Sequence, residues 1–408
     1  MAAVEPMPAP PVALYVHVPF CVSLCPYCDF VVYAGAAARG PRNRVGQFLD
    51  AVLAEIDLRG AALDDRFGLD RPALETVYLG GGTPSLLPAD EIERLLARVR
   101  ERFGVADDAE ITLEANPGPD ERGDPVAQRR AGVTRISFGA QSLDDGELRR
   151  LGRRHRAGDV AAAVDGAREA GIGSVNLDLL YDVPDGTLAT WTATLEAALD
   201  QAPDHLSLYA LTLDDPDAEG LTGPTGDHLP TTRGARRWRE TSRLGQDEDR
   251  AAAQYGHARA TLAKAGFRGY EISNWARPGH ESRHNLAYWQ RRPHEAVGPG
   301  AHAFDGATRR WNAARLDGYV AALTGGPTPS LPPGGEERVD GAATTAETLI
   351  LGLRLDTGVP LSASREPPLA GAFGWAREAE LIDVTPDERV VLTTRGRLLS
   401  NELFARLI

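Results

Sequence analysis

The chain has 408 residues, 42% of them hydrophobic and 25% charged, a globular composition that excludes a wholly disordered or fibrous protein. A formal net charge of −14 argues against a general nucleic-acid binder and against electrostatic adsorption to an anionic membrane. The only three cysteines, Cys21, Cys25 and Cys28, fall within eight residues, which is no disulfide framework for a chain of this length and points to a reducing compartment with chemistry at one place.

Residues 1–11 are rich in Ala and Pro and read as a flexible N-terminus. They have neither the positive n-region nor the apolar h-region of a secretory signal. No run approaches the ~18 apolar residues of a membrane-spanning helix, so the expected address is the cytoplasm. Val12–Val18 reads as a strand that runs straight into the cysteines, and Arg44–Arg59 as a helix. Leu74–Leu79 is the next strand, followed by Gly80-Gly81-Gly82-Thr83 and a helix near Ala89–Phe103. Glu110–Ala115 is a strand with a helix near Asp124–Ala131. Val133–Phe138 is a strand, with helical sequence over Asp144–Leu151 and Val160–Ala170. Ser174–Leu180 is a strand with a helix near Leu188–Leu199, and His205–Leu211 is the sixth strand. These assignments rest on β-branched enrichment, apolar period and turn residues.

Six βα units over residues 12–213 predict an α/β fold with a parallel sheet and right-handed crossovers. Six is short of the eight of a complete barrel, so one side should be open and the C-terminal half is the candidate cover. Residues 214–245, rich in Gly, Pro, Asp and Thr, read as a linker or loop insert. Within them Arg233, Arg236, Arg237, Arg239 and Arg243 flank Trp238; the patch either meets a membrane or partner, or belongs to a solvated loop, which is the favoured reading. Residues 246–408 read as a smaller C-terminal α+β domain. It should hold a helix over Gln246–Ala265, a strand over Gly266–Asn274, a loop over Gly325–Gly335, a helix over Ala343–Leu353 and a small helix–strand–helix module at the end.

The spacing C-x3-C-x2-C directly after the first strand suits three irons of a [4Fe–4S] cube, whose fourth iron then needs a non-protein ligand. Zinc is the alternative, with His17 as fourth ligand. The run Tyr15-Val-His17-Val-Pro19-Phe20-Cys21 through Cys28 resembles the radical S-adenosylmethionine (SAM) superfamily, in the group around oxygen-independent coproporphyrinogen oxidase. The resemblance implies a partial (βα)6 barrel, SAM chelating the unique iron through its amino and carboxylate groups, and reductive cleavage of SAM to a 5′-deoxyadenosyl radical. It implies Tyr15 and Tyr27 beside the cofactors, and Gly81, Gly82 and Thr83 of the Gly80–Pro84 turn holding the amino group of SAM. Such a turn exposes backbone groups that suit an amino-acid headgroup. It implies Glu114, Gln141, Arg153 and Asp178 as polar walls of the same pocket, each at or just beyond a strand C-terminus, where barrel active sites lie, except Asp178, which lies within its strand. Asp182-Val183-Pro184 stands where that group has Gly-Leu-Pro.

Within the group, the oxidase extends its motif to C-x3-C-x2-C-x-C. Here that further position is Phe30. His284-Asn285-Leu-Ala-Tyr288-Trp289 is similar to the HNxxYW motif of the HemW heme chaperone branch, as are Gly298–His302, Arg310–Asn312 and Leu398–Phe404. The branch implies heme b held near His284, Asn285, Tyr288 and Trp289, delivery to acceptor hemoproteins, often at the membrane, and a homodimer supported by the cluster. A neutral imidazole suits heme iron, Tyr288 and Trp289 suit a porphyrin face, and Arg283 suits a propionate. His302, His280 and His17 are further candidates. The competing reading of His284 is a hydrogen-bonded structural histidine beside two core aromatics. The competing function is the oxidase itself, decarboxylating coproporphyrinogen III propionates.

Overall fold

The computed structural model describes residues 6–214, 220–365 and 369–408. Six parallel strands lie side by side in chain order: β1 (Ala13–Val18), β2 (Leu74–Gly81), β3 (Val105–Ala115), β4 (Arg135–Gln141), β5 (Ser174–Tyr181) and β6 (His205–Ala210). The helices between them are α1 (Val45–Phe67), α2 (Ala89–Phe103), α3 (Pro125–Ala131), α4 (Asp145–Arg150), α5 (Ala157–Glu169) and α6 (Leu188–Asp200). The period-two pattern of β1 sorts its side chains. Leu14, Val16 and Val18 enter the main core with Phe48 and Val52 of α1, while Tyr15 and His17 turn to the other face and meet Tyr78 and each other. α2 shows why such a crossover forms. It buries Ile92, Leu95, Leu96, Val99 and Phe103 at helical spacing, carries Asp90 and Glu91 in its first turn and Arg100 and Arg102 in its last, and stops at Gly104 with φ 69°.

The sheet does not end with β6. After α7 (Arg233–Arg243) and α8 (Glu248–Lys264), the short strands β7 (Arg268–Gly269) and β8 (Asn274–Ala276) extend its outer edge, β8 antiparallel to β6. Past α9 (Arg283–Trp289), β9 (His294–Val297) joins the opposite edge parallel to β1, pairing Ala13 with His294 and Val16 with Val297. β10 (His302–Phe304), β11 (Thr308–Asn312) and β12 (Gly334–Arg338) follow antiparallel. Among the described residues the parallel part therefore has seven strands, the seventh supplied from the C-terminal half, in a twelve-stranded sheet whose edges β12 and β7 do not pair. The open side expected of a short barrel is present, and β9–β11 wall it. α10 (Leu316–Thr324) and α11 (Gly341–Arg354) complete this half. A second apolar core gathers Leu349, Leu353, Phe373, Val390, Leu392, Leu403 and Phe404 around a three-stranded sheet.

Two local expectations change. Part of the stretch read as loop is helix α7: Thr232 Oγ1 accepts from Ala235 N at 3.2 Å, and the Arg, Ala and Glu that follow are good helix formers. Residues 215–219 of that stretch and 1–5 of the N-terminus lie outside the described residues. The run Gly266–Asn274 is two short strands instead of one, because the Glu271 carboxylate folds the chain back by accepting from Ser273 N at 2.7 Å and Asn274 Nδ2 at 2.5 Å. Among the described residues no helix is long and apolar enough to cross a membrane.

Candidate radical SAM site and adjoining cavity

The cysteine loop leaves β1 and is closed at its base where Phe20 and Cys21 pair with Tyr33 and Ala34. All three cysteines are free and half-buried. Cys21 Sγ lies 3.3 Å from Thr83 Oγ1, and Arg153 Nη1 donates to Cys25 Sγ at 3.4 Å. Burial pushes the Cys21 thiol up to about 11 and the Cys28 thiol up to about 12. Thiolates in such a place need a compensating cation, and binding one releases their protons. Among the described residues no three His, Cys, Asp or Glu side chains converge as ligands of a single ion do, so the fit to a cluster rests on the loop and its surroundings.

Those surroundings include a residue that no motif marked. Arg239 of α7 is buried and turns its guanidinium onto the backbone of the loop. It donates to Pro26 O at 3.2 Å, Tyr27 O at 2.8 Å, Cys28 O at 3.2 Å and Asp214 O at 2.7 Å. Trp238 packs its ring 6.3 Å from that of Tyr27. The basic-aromatic stretch thus faces the cysteines at Trp238 and Arg239, a correction to the solvated-loop reading. An arginine in a helix that carries five of them carries no spacing signal for this; only the fold brings it there.

Beside the loop, the glycine turn is shaped by close approach. Gly81 has φ 105°, and a Cβ on it would meet the His17 ring at 2.3 Å; a Cβ on Gly82 would meet Phe20 O at 2.6 Å. Gly81 N donates to Glu114 Oε2 at 2.8 Å and the Tyr78 hydroxyl to Glu114 Oε1 at 2.7 Å. Burial pushes the Glu114 carboxyl up to about 7, against these two hydrogen bonds and with the help of the Asp178 charge. Asp178 is raised by burial too, while accepting from Asn176 Nδ2 at 2.7 Å and Ser137 Oγ at 3.1 Å. Gln141 ends β4 with φ 67°, where the β4–β5 register shifts; a non-glycine residue in that region marks a strained position of the kind found at binding sites. Arg153, from the loop after α4, donates to Gly139 O at 2.7 Å and to Asn116 Oδ1, and Asn116 Nδ2 donates to Thr83 Oγ1 at 3.1 Å. Gly139 and Asn116 were not singled out by sequence; a polar residue directly after a strand was the one signal for Asn116. Tyr27 Oη and Arg153 Nε are buried without a partner. Paired carboxylates beside open backbone groups suit an ammonium, and orphaned donors beside Cys25 suit a carboxylate, so the residues present fit an amino-acid headgroup next to a cluster.

Asp182 has φ 55°, the region that favours glycine, which accounts for the Gly of the resembling group. Here its amide donates to Gln254 Oε1 at 2.8 Å and its carboxylate pairs with Arg250. Aspartate tolerates this conformation better than most residues.

The HNxxYW residues lie on α9. Ser282 caps it, accepting from Asn285 N at 3.3 Å, and the Glu110 carboxylate accepts from the amides of Arg283 and His284, each at 3.2 Å. His284 is buried. Its Nδ1 lies 2.7 Å from Thr76 Oγ1 and its Nε2 2.8 Å from Tyr288 Oη, and burial lowers its pKa to about 3. Both nitrogens of the neutral ring are engaged, so iron ligation there would require Tyr288 or Thr76 to let go. Arg283 points to Asp108, donating to its carbonyl at 2.7 Å. His280 lies 3.2 Å from Ser174 Oγ at the start of β5. His17 meets Tyr15 Oη at 2.9 Å and Val31 O at 2.8 Å, so zinc binding would cost it one of these.

Tyr288 and Trp289 line a cavity of about 630 Å³ on the open side of the barrel, between β1, α9 and β10, with Phe30 of the cysteine loop in its wall. The Trp289 ring lies under the Arg354 guanidinium at 4.3 Å, and its Nε1 is buried without a partner. His302 meets the Asp227 carboxylate at 3.0 Å and stacks on Trp311. His294, also on the wall, belongs to no motif.

An open parallel barrel with a three-cysteine loop at the strand C-termini is the architecture of a radical SAM protein, and the radical SAM superfamily model matches residues 15–197. That class implies a [4Fe–4S] cluster and SAM. Across the whole length, the heme chaperone HemW of Mycobacterium tuberculosis is 38% identical over 411 aligned residues, covering 100% of this chain and 97% of the relative. HemW of Escherichia coli K12 is 36% identical over 72% of this chain and 70% of its own. The mouse mitochondrial radical S-adenosyl methionine domain-containing protein 1 is 35% identical over 90% and 79%. The chain belongs to the HemW heme chaperone family. The solved coproporphyrinogen III oxidase (HemN) of Escherichia coli superposes with a TM-score of 0.78 over 98% of this chain and 91% of the other, at 23% identity, a likeness of fold.

One prediction follows at Glu114. Glu114→Gln is expected to weaken SAM binding tenfold or more, because a hydrogen bond to a charged group is worth about 1.5–3 kcal/mol. Calorimetric titration of anaerobically reconstituted protein checks it; an unchanged Kd would place the amino group of SAM elsewhere.

Proposed function

We propose that the protein is a heme chaperone that carries heme b in the cavity beside the cysteine loop and passes it to acceptor hemoproteins. In this reading Cys21, Cys25 and Cys28 hold the cluster. Gly81, Gly82, Thr83, Glu114, Gln141, Arg153 and Asp178 cradle SAM, with Tyr15 and Tyr27 close by. The cluster and SAM, when bound, supply one-electron chemistry at the mouth of the barrel. The chain's own part is to bind and orient. Arg153 and Arg239 hold the loop, the apolar wall excludes water, and His284 with Asn285 on α9 sets Tyr288 and Trp289 at the cavity, His284 through its bond to the Tyr288 hydroxyl. The observation that carries the reading is the 630 Å³ cavity bordered by Tyr288, Trp289 and Phe30, large enough for a cofactor-sized ligand and directly beside the cysteines.

The acceptor is best sought among proteins, since a net charge of −14 disfavours direct attraction to anionic lipid. Delivery at a membrane and a cluster-supported homodimer belong to the same proposal.

Phe30 separates this reading from the oxidase. Where the oxidase motif has a further cysteine, this chain presents an aromatic ring to the cavity. The test is a heme titration of the purified protein, expected to give a saturable Soret band. In parallel, anaerobic incubation with SAM, reductant and coproporphyrinogen is expected to yield no catalytic protoporphyrinogen. Turnover in the second assay, or no saturable binding in the first, would overturn the proposal.

A further inference from the structure

We infer that His294 is the protein ligand to the iron of the heme. The inference rests on the chaperone reading and deepens it, since nothing in the motifs points to this residue. The cavity needs an imidazole that is neutral, fixed and free to offer a lone pair, as iron ligands are. His17 has both nitrogens engaged, by Tyr15 and Val31. His284 has both engaged, by Thr76 and Tyr288, and is not on the cavity wall. His302 points Nε2 at the Asp227 carboxylate, 3.0 Å away, and His228, also on the wall, is not without a partner.

His294 differs from these. Its Nδ1 lies 3.2 Å from the backbone carbonyl of Arg292. That bond places the ring proton on Nδ1 and leaves the lone pair on Nε2, the arrangement in which a backbone carbonyl orients a metal-binding imidazole. Nε2 makes no hydrogen bond among the described residues and is not one of the sealed polar atoms without a partner, and the residue lines the cavity. The ring is held from two sides, edge-on to Tyr288 with centroids 4.6 Å apart and against Phe304 at 6.2 Å. Its backbone is the first residue of β9, paired to Ala13 of β1, so the ligand sits on a sheet and not on a loop.

The rest of the cavity suits a flat amphipathic metal chelate. Its walls are mostly apolar, with Tyr288, Trp289, Phe30 and Phe304 among them. Its rim is polar, with Arg291 and Arg309 both pairing with Glu347. An apolar body and an anionic edge are the two faces of a porphyrin with propionates.

The test follows heme titrations of the full-length protein by absorbance and electron paramagnetic resonance. His294→Gly is expected to shift the Soret band and weaken binding at least tenfold, and excess imidazole is expected to restore the wild-type spectrum by filling the vacated place. His294→Cys is expected to give a thiolate-type spectrum, a change of ligand class that a merely structural histidine would not produce. Circular dichroism checks that both variants fold. A wild type that binds heme with a spectrum unchanged in His294→Gly and His294→Cys would remove His294 as the ligand and leave the chaperone reading standing. A wild type that binds no heme would remove both.

Discussion

Cys25→Ala is expected to abolish the iron–sulfur cluster and leave the barrel folded. The loop offers three thiols and no fourth, so a cube on this loop already relies on a non-protein ligand at one iron. Removing one thiolate leaves two irons without protein ligands, which is too few to hold the cube. The fold should survive because Cys25 is half-buried on a loop and belongs to no apolar cluster; its thiol accepts from the Arg153 guanidinium at 3.4 Å, a polar contact and not core packing. A change in stability of the metal-free protein within about 1 kcal/mol is expected for such a position. Iron analysis and the visible absorbance after anaerobic reconstitution measure the loss, and circular dichroism the fold. Retention of full iron would reject Cys25 as a ligand. Collapse of the metal-free fold would show that the loop carries more of the core than its contacts indicate.

Arg239→Ala is expected to release the same loop without touching a ligand. One buried guanidinium donates to four carbonyls, three of them on the consecutive residues Pro26, Tyr27 and Cys28. Hydrogen bonds from a charged donor are worth about 1.5–3 kcal/mol each and do not add. Truncation also takes that donor from carbonyls of three half-buried residues, Pro26, Tyr27 and Cys28. A loss of roughly 2–4 kcal/mol is expected, read by denaturant unfolding. The cluster should bleach faster under a chelator, since its ligands are no longer preorganised. Arg239→Lys should not restore the wild-type rate, because an ammonium cannot present the planar fork that reaches several carbonyls at once. A bleaching rate unchanged in Arg239→Ala would show that the loop holds its shape unaided.

The parts of this molecule that were legible in sequence are those with local causes. The βα alternation from β1 to β6 was readable because each strand and crossover carries its own apolar period and turn residues. The glycine turn was readable because a Cβ at Gly81 or Gly82 has no room. The placement of Glu114 and Gln141 near one mouth followed from their positions at the ends of successive strands, whereas Arg153 follows α4 and reaches the same place through Gly139 O and Asn116 Oδ1. What was not legible depended on partners far along the chain. β9 pairs with β1 across about 280 residues, and a strand of four residues has no signature strong enough to announce that. α7 was hidden by a composition typical of loops, and Arg239 by the absence of any spacing rule for a residue that acts through its reach. His284 is the instructive case. Its motif marked the right helix, but whether an imidazole offers a lone pair depends on what surrounds it, and Thr76 and Tyr288 occupy both of its nitrogens.

By itself, then, the sequence determined the class of fold, the three-thiol loop with its missing fourth ligand, and the glycine turn beside it, because spacing and local sterics are properties of short segments. Only the tertiary structure decided which elements close on that loop and which of the histidines lining the cavity, His17, His228, His294 and His302, has a ring nitrogen to offer. Burial, register and hydrogen-bond occupancy are set by residues that meet only after the chain has folded.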